Sequence, residues 1–439
     1  MTAGGPAADE TSSSAAPLPV APPAARSSRW RRIAADITPL RESRDYRRWW
    51  FGYSVSFTGT QLTQFAIPVQ VYALTRSSLD VGLVGLVVLV PLATMGLVGG
   101  AIADAVDRRR LTLITGSVLM LLSVLLTLQA ALGLRQLWLL YTVAGVQGAF
   151  AAVDSSARGA ILPRLVRREM LPAANALGQL GFTTGLSAGP LLGGLFISTL
   201  GFEWAYGFDA LSFLAVLYGV WRLPPLPPEG GGSRASVASV LEGLRFLGPR
   251  KNVLMTFLVD INAMVFGMPR ALFPAIAIHW FHGGAGIVGL LAAAPNIGAM
   301  LGAAASGWTG RVRRQGLAVL VSVVVWGGSI ALFGFTRVLW LALLLLAIAG
   351  AADMVSAIFR NTILQVSTPD ALRGRLQGVF IVVVTGGPRL GDVEAGSVAA
   401  AFGSQVSVVS GGLACVAGVA LLAAMFPSFA KYDADNPEP

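Results

Sequence analysis

The chain repeats itself at a constant offset of 202 residues, and no gap is needed to keep the register. Gly96 and Gly100 recur as Gly298 and Gly302, Arg109 as Arg311, Arg135 as Arg337 and Trp138 as Trp340. Gly148 recurs as Gly350, and Arg158, Ile161 and Leu162 as Arg360, Ile363 and Leu364. Gly185, Gly189 and Gly194 recur as Gly387, Gly391 and Gly396. A chain made of two homologous halves in the same order must fold as two like units, and both units here are apolar through most of their length.

Apolar residues make up 54% of the 439 and charged ones 12%. A water-soluble domain of this size needs far more charge to cover its surface. Each membrane-spanning helix takes roughly 20 apolar residues, so about twelve helices use roughly 240. The fold expected is an all-α membrane protein with twelve transmembrane helices in two pseudo-symmetric six-helix bundles. Its parts are a disordered tail (1–45), an N-terminal bundle (46–222), a linker (223–251), a C-terminal bundle (252–428) and a second tail (429–439). The linker begins with Pro224, Pro225, Leu226, Pro227 and Pro228, a helix stop. Residues 236–247 then space apolar side chains as an amphipathic interfacial helix does, with a plain loop as the alternative.

The net charge of +10 raises nucleic acid as a partner, but its placement argues against one. Arg and Lys fall in alternate loops, around Arg47, Arg109, Arg167, Lys251, Arg313 and Arg373, while the intervening loops hold only Arg76, Arg135 and Arg337. This is the positive-inside pattern, and it puts both termini in the cytoplasm of a multi-pass protein of the cell membrane. Basic clusters on separate loops form no continuous groove for nucleic acid. Cys415 is the single cysteine, which excludes an intrachain disulfide. The first 28 residues lack the apolar stretch of a signal peptide. There is no phosphate-binding Gly-rich loop before Lys-Ser/Thr, and the chain has only two histidines. No enzyme, no cofactor and no metal site is expected, His279 and His282 having no Cys, Asp or Glu beside them.

Ionisable groups inside spans are costly against lipid, so each is a functional candidate. Asp154 and Arg158 lie four apart on one face of the fourth span and can pair. Asp353, Ser356 and Arg360 share a face of the tenth. For both arginines the alternatives are a functional charge or a structural ion pair at the inner mouth. Arg389 and Asp392, three apart in the eleventh span, can neutralise each other. Glu394 points away from Asp392; it either has another partner, or carries a proton, or lies at the hydrated inner edge of the membrane. In the seventh span, predicted as one helix over 252–278, Asn262, Phe266 and Arg270 share a face and Asp260 lies on another. Gln61 and Gln64 share a face of the first span. These amides and charges suit a cavity that takes a polar substrate, but amides also join helices. Asp209 has no charged neighbour in its own helix and is either a cap or an interhelix partner.

Gly100, Asp104, Arg108 and Arg109 in the loop after the second span resemble the signature loop of the major facilitator superfamily, from which Ala105 and Asp107 depart. Arg311 stands in the second, degenerate copy, where Ser306 replaces the acid. The resemblance implies a gate in which Asp104 contacts the start of the eleventh span. Gly185, Gly189, Pro190, Gly193 and Gly194 resemble the antiporter motif of drug/proton exporters. The fourth-span motif of those exporters is half present: Gln147 and Gly148 match, and Ala144 stands where an arginine is usual. The stretch from Asp154 to Pro163, with Ala174-Asn175-Ala176-Leu177, resembles the subgroup that contains enterobactin exporters. The implied protein is a monomeric secondary transporter with protons, membrane lipid and a small molecule as partners. It exports a siderophore-like or drug-like substrate by alternating access, through a cavity lined by the first, fourth, seventh and tenth spans. An uptake carrier of the same fold and a non-transporting sensor or scaffold are the alternatives.

Overall fold

The computed structural model describes residues 36–227, 247–248, 250–368 and 370–433. The amphipathic helix expected over 236–247 lies outside these residues, apart from its last position. The N-terminal boundary moves: residues Thr38–Glu42 are a short helix, and the first long helix starts at Arg44.

The N-terminal half holds α1 (Arg44–Thr75), α2 (Ser78–Ala105), α3 (Arg108–Ala131), α4 (Leu137–Leu165), α5 (Leu171–Thr199) and α6 (Phe202–Trp221). The C-terminal half holds α7a (Lys251–Phe266), α7b (Phe273–His279), α8 (Ala285–Ala304), α9 (Gln315–Phe333), α10 (Leu339–Val366), α11 (Asp370–Phe402) and α12 (Ser404–Met425). Among the described residues the strand-type pairing is one isolated bridge, Arg314 to Asp433. Nine segments of the described residues are long and apolar enough to cross a membrane. α1, α6 and α11 are not among the nine, although they have 32, 20 and 33 residues. The repeat pairs these three with α7, α12 and α5, which are.

Local chemistry sets the helix ends. Ser43, Ser77 and Asp107 accept backbone N–H bonds from Tyr46, Asp80 and Arg110 and so cap α1, α2 and α3. Gly201 and Gly403, equivalent in the repeat, stand at φ 103° and 87° in the α5–α6 and α11–α12 joints, where a side chain would be strained. Trp138 and Trp340, also equivalent, begin α4 and α10 and are 63% and 68% exposed. Indole rings at such positions suit the membrane–water interface. Leu121, Leu211, Leu332 and Leu421 are exposed along the outer faces, as lipid-facing positions are.

The expected seventh span is not one helix. It breaks after Phe266, passes Gly267, Met268 and Pro269, makes a turn at Arg270–Leu272 and resumes at Phe273. Pro269 has no N–H to donate and clashes with the preceding turn. A break inside a bundle frees backbone carbonyls that lipid cannot satisfy. Trp326 of α9 answers this: its indole N–H donates to the Gly267 carbonyl at 2.9 Å in a buried setting. The break also removes the shared face of Asn262, Phe266 and Arg270.

Trp326→Phe keeps the aromatic bulk and leaves that carbonyl without its donor. Purified variant protein is expected to lose about 1–3 kcal/mol of stability, read as a lower melting temperature in detergent. An unchanged melt would show that the break is satisfied in some other way.

Candidate substrate cavity

A cavity of about 650 Å³ opens inside the N-terminal half. Its walls come from α1 (Tyr53, Phe57, Gln61, Gln64), α4 (Gln147, Asp154, Arg158) and α5 (Asn175, Gln179, Phe182), with α2, Leu119 of α3 and α6 completing them. Arg389 of α11 is the C-terminal half's contribution among the described residues. The expected lining by the seventh and tenth spans is therefore corrected: α1 and α4 line the cavity, and α7a, α7b and α10 do not.

Glycine positions explain the shape. Gly185, Gly189 and Gly193 of α5 face Phe57, Gln61 and Phe65 of α1 in matching steps of four. A Cβ on Gly189 would lie 3.0–3.1 Å from the backbone of Gln61 and Leu62. The same motif's other face meets α8: a Cβ on Gly194 would come 2.7 Å from the Ala285 carbonyl, and one on Gly289 2.6 Å from the Pro190 carbonyl. A second seam joins α2 to α11, where Cβ atoms on Gly85 and Gly396 would lie 3.1 Å from the Arg389 carbonyl and 2.6 Å from the Ser78 carbonyl. Gly194 and Gly396 are repeat equivalents, so the two seams are related copies. Tyr72 Oη and His279 Nε2 add a contact at 3.1 Å between α1 and α7b. The Gly194–Ala285 and Gly396–Ser78 approaches lie at the starts of α8 and α2. Gly159 and Gly178 line the cavity and face open space.

Three charge systems, two of them buried, hold the helices. Asp154 pairs with Arg158 one turn on and accepts from Thr115 Oγ1 at 2.7 Å. The Arg158 guanidinium lies over the Tyr53 ring, 4.9 Å from its centre. Arg360, the repeat equivalent of Arg158, is 6% exposed and binds Asp260 of α7a, with Asp353 at 3.6 Å. Asp260, expected in the cavity, is instead a bolt between α7a and α10. Asn262 also joins helices, donating to the Cys415 carbonyl of α12 at 2.8 Å. Asp392 attracts Arg389, as the spacing suggested, but its carboxylate is in ion-pair contact with Arg270 instead, at 3.5 Å. Arg270 is thus an ion-pair partner outside the cavity. Glu394 has no ion-pair partner among the described residues and does not line the cavity.

Sequence reasoning left Asp209 open between a cap and an interhelix partner, and it joins helices. It is 1% exposed, and one carboxyl oxygen accepts from Thr63 of α1 and Ser123 of α3, each at 2.7 Å. Gln70, Gln129 and Tyr206 form a second buried network across the same three helices. Nothing in the sequence pointed to that network, because its members lie on three helices far apart in the chain.

At the start of α3, Arg109 donates to the carbonyls of Val220 and Trp221 at the end of α6, the exposed acceptors that helix ends leave over. Asp107, a departure from the family loop, accepts from the Leu226 N–H at 2.8 Å, and the Arg108 N–H donates to the Leu226 carbonyl at 3.1 Å. These residues fasten the start of the linker to α3. The side chain of Asp104 lies outside the described residues. Arg311 is exposed.

The profile of the transmembrane secretion effector family matches residues 34–438. The chain belongs to this family. It is 31% identical over 395 residues to the enterobactin exporter EntS of Citrobacter koseri, covering 88% of this chain and 92% of that one. To the EntS of Shigella boydii it is 32% identical over 375 residues, covering 84% and 88%. Among solved structures, a point mutant of the nucleoside transporter NupG matches with a TM-score of 0.70 at 15% identity, over 87% of this chain and all of that one. A bacterial homologue of the lysosomal transporter Spinster, inward-facing and unoccupied, matches at 0.68 and 17%, over 90% and 98%. The protein is a multi-pass membrane transporter of the major facilitator type, not an enzyme.

The Asp260–Arg360 bolt yields a direct test. Asp260→Asn strips a buried guanidinium of its nearer carboxylate and is expected to cost about 3–5 kcal/mol, toward the lower figure because Asp353 remains. Thermal melting of the variant beside Glu394→Gln, which breaks no ion pair among the described residues, checks it; equal melts would mean that the pair holds nothing together.

Proposed function

We propose that the protein exports a siderophore-like or drug-like small molecule across the cytoplasmic membrane by alternating access, driven by inward proton flow. The observation that carries this reading is a cavity that two glycine seams bound near the starts of α2 and α8, and that at Gly159 and Gly178 has no described neighbour within 4 Å of a would-be Cβ. The end where Gly159 lies bears Arg108, Arg109, Arg110, Arg164 and Arg167, and the positive-inside rule assigns such an end to the cytoplasm. A substrate then enters from the cytoplasm or inner leaflet, and release outward requires the seams to part while the basic end closes. The enterobactin exporters similar to this chain support efflux over uptake. Both termini are cytoplasmic in this reading, and the working unit is the monomer, embedded in lipid.

Gating is assigned to Gly100, Asp104, Arg108, Arg109 and Arg311. The fastening of Arg109 to the end of α6 supports a role for this loop in how the linker follows the N-terminal half. Glu394 is the proposed proton carrier, since no cation of the described residues neutralises it. The alternatives, Asp154, Asp353 and Asp392, each have an arginine partner.

Cells expressing the chain are expected to retain less supplied enterobactin than cells without it, and collapse of the proton gradient should abolish the difference. Greater retention would identify an uptake carrier. Glu394→Gln should reach the membrane at normal levels and lose the response to the gradient, and gradient-driven efflux by that variant would remove Glu394 from the coupling.

A further inference from the structure

The cavity wall holds four charged side chains, and three of them are already spoken for. Asp154 is 2% exposed and is bonded to Arg158 and Thr115. Arg158 has that carboxylate and the Tyr53 ring. Asp209 is sealed behind Thr63 and Ser123. Arg389 is the fourth. No carboxylate among the described residues lies within ion-pair distance of it, because Asp392, one turn along, is 3.5 Å from Arg270 instead. Asp392 attracts Arg389 and Arg270 repels it, both from beyond that distance, and an arginine at membrane depth with no carboxylate in contact is costly and marks a substrate pathway.

Arg389 belongs to the other half of the molecule, and glycine is what lets it reach this cavity. Gly82 and Gly85 leave α2 without side chains where α11 crosses it; a Cβ on Gly85 would stand 3.1 Å from the Arg389 carbonyl and 3.5 Å from its Cα. The backbone of α11 is thereby pressed against the first two turns of α2, and the guanidinium enters the cavity.

A second feature of the wall also fits a ligand. Trp49, Tyr53 and Phe57 follow one another at four-residue steps on α1, and Phe182 of α5 continues the row. Successive ring centres are 5.5, 5.8 and 5.0 Å apart with interplanar angles of 6°, 29° and 30°. All four line the cavity. The row gives the wall aromatic surface for a flat conjugated molecule, at ring edges and at the faces that are not turned to one another or to Arg158. Few convergent polar groups on a mostly apolar wall are what fix a ligand's orientation.

We infer that Arg389 binds an anionic group of the transported molecule, which is an organic anion with a planar aromatic part lying along Trp49, Tyr53, Phe57 and Phe182. Guanidinium matches carboxylate or a comparable oxyanion through paired N–H donors. The substrate's charge then bridges α11 to the N-terminal half, so its presence bears on the α2–α11 seam that must open for release. This rests on the cavity being the substrate site, as proposed above.

The test is equilibrium binding of 1-naphthoate and of its uncharged methyl ester to the purified full-length chain, with Arg389→Gln and Arg389→Lys as variants. The wild type is expected to prefer naphthoate. Arg389→Gln should weaken naphthoate about tenfold or more while leaving the ester within about twofold, and Arg389→Lys, which keeps the charge but not the paired donors, should fall between the wild type and Arg389→Gln. Ester binding doubles as the check that the variants are folded. An equal fall for both probes, a preference that survives Arg389→Gln, or a wild type that does not favour the anion would each overturn the assignment. Efflux from cells is scored separately. A chain that prefers naphthoate in an Arg389-dependent way but depletes nothing from cells keeps the assignment and loses the exporter reading.

Discussion

Backbone meeting backbone without intervening side chains is the contact on which this molecule is built. In lipid there is no hydrophobic force to drive helices together, so association depends on close van der Waals approach and on interhelical hydrogen bonds. Gly194 and Gly289 supply the approach between α5 and α8, and Gly82, Gly85 and Gly396 supply it between α2 and α11. These seams are related by the internal repeat and join the two halves. A methyl group at any of these positions would meet a carbonyl or a Cα rather than a movable side-chain tip. The shape of the cavity and the entry of Arg389 follow from them.

Duplication fixed the scaffold, and divergence redistributed the charges on it. Arg158 and Arg360 occupy equivalent positions, yet they serve different joints. Arg158 finds Asp154 within its own helix and stays at the cavity wall. In the second half the equivalent of Asp154 is Ser356, which is fully buried. Arg360 therefore turns to Asp260 of α7a and to Asp353, and becomes a bolt inside the C-terminal bundle. Both pairs are buried, so neither guanidinium is left unneutralised in a medium of low dielectric. The C-terminal half is filled by a continuous core running from Met255 through Leu291 and Phe333 to Val419.

Legibility tracked the range of the interaction. Asp154 with Arg158 could be read from the sequence because a four-residue step on one helix fixes their geometry. The spacing of Gly185, Gly189 and Gly193 marked a packing stripe for the same reason, although its partner α1 could not be named. Arg389 and Asp392 were expected to neutralise each other: they attract, but Arg270, in the turn after the break at Pro269, takes the closer place at the carboxylate. Asp260 and Asn262 looked like cavity residues because a polar group in an apolar run must find a polar partner, and their own helix offered none. Their partners, Arg360 and the Cys415 carbonyl, are 100 and 153 positions away.

By itself the sequence determined the two-fold repeat, the helical membrane class and the residues held at fixed spacing on single helices, since helical periodicity and the cost of polar groups in lipid leave little freedom there. Only the tertiary structure decided which charges are consumed by neighbours and which one is left facing the cavity. The physical reason is that an ion pair or a carbonyl contact between helices depends on how two surfaces meet, and one side chain turned toward a different partner reassigns the rest.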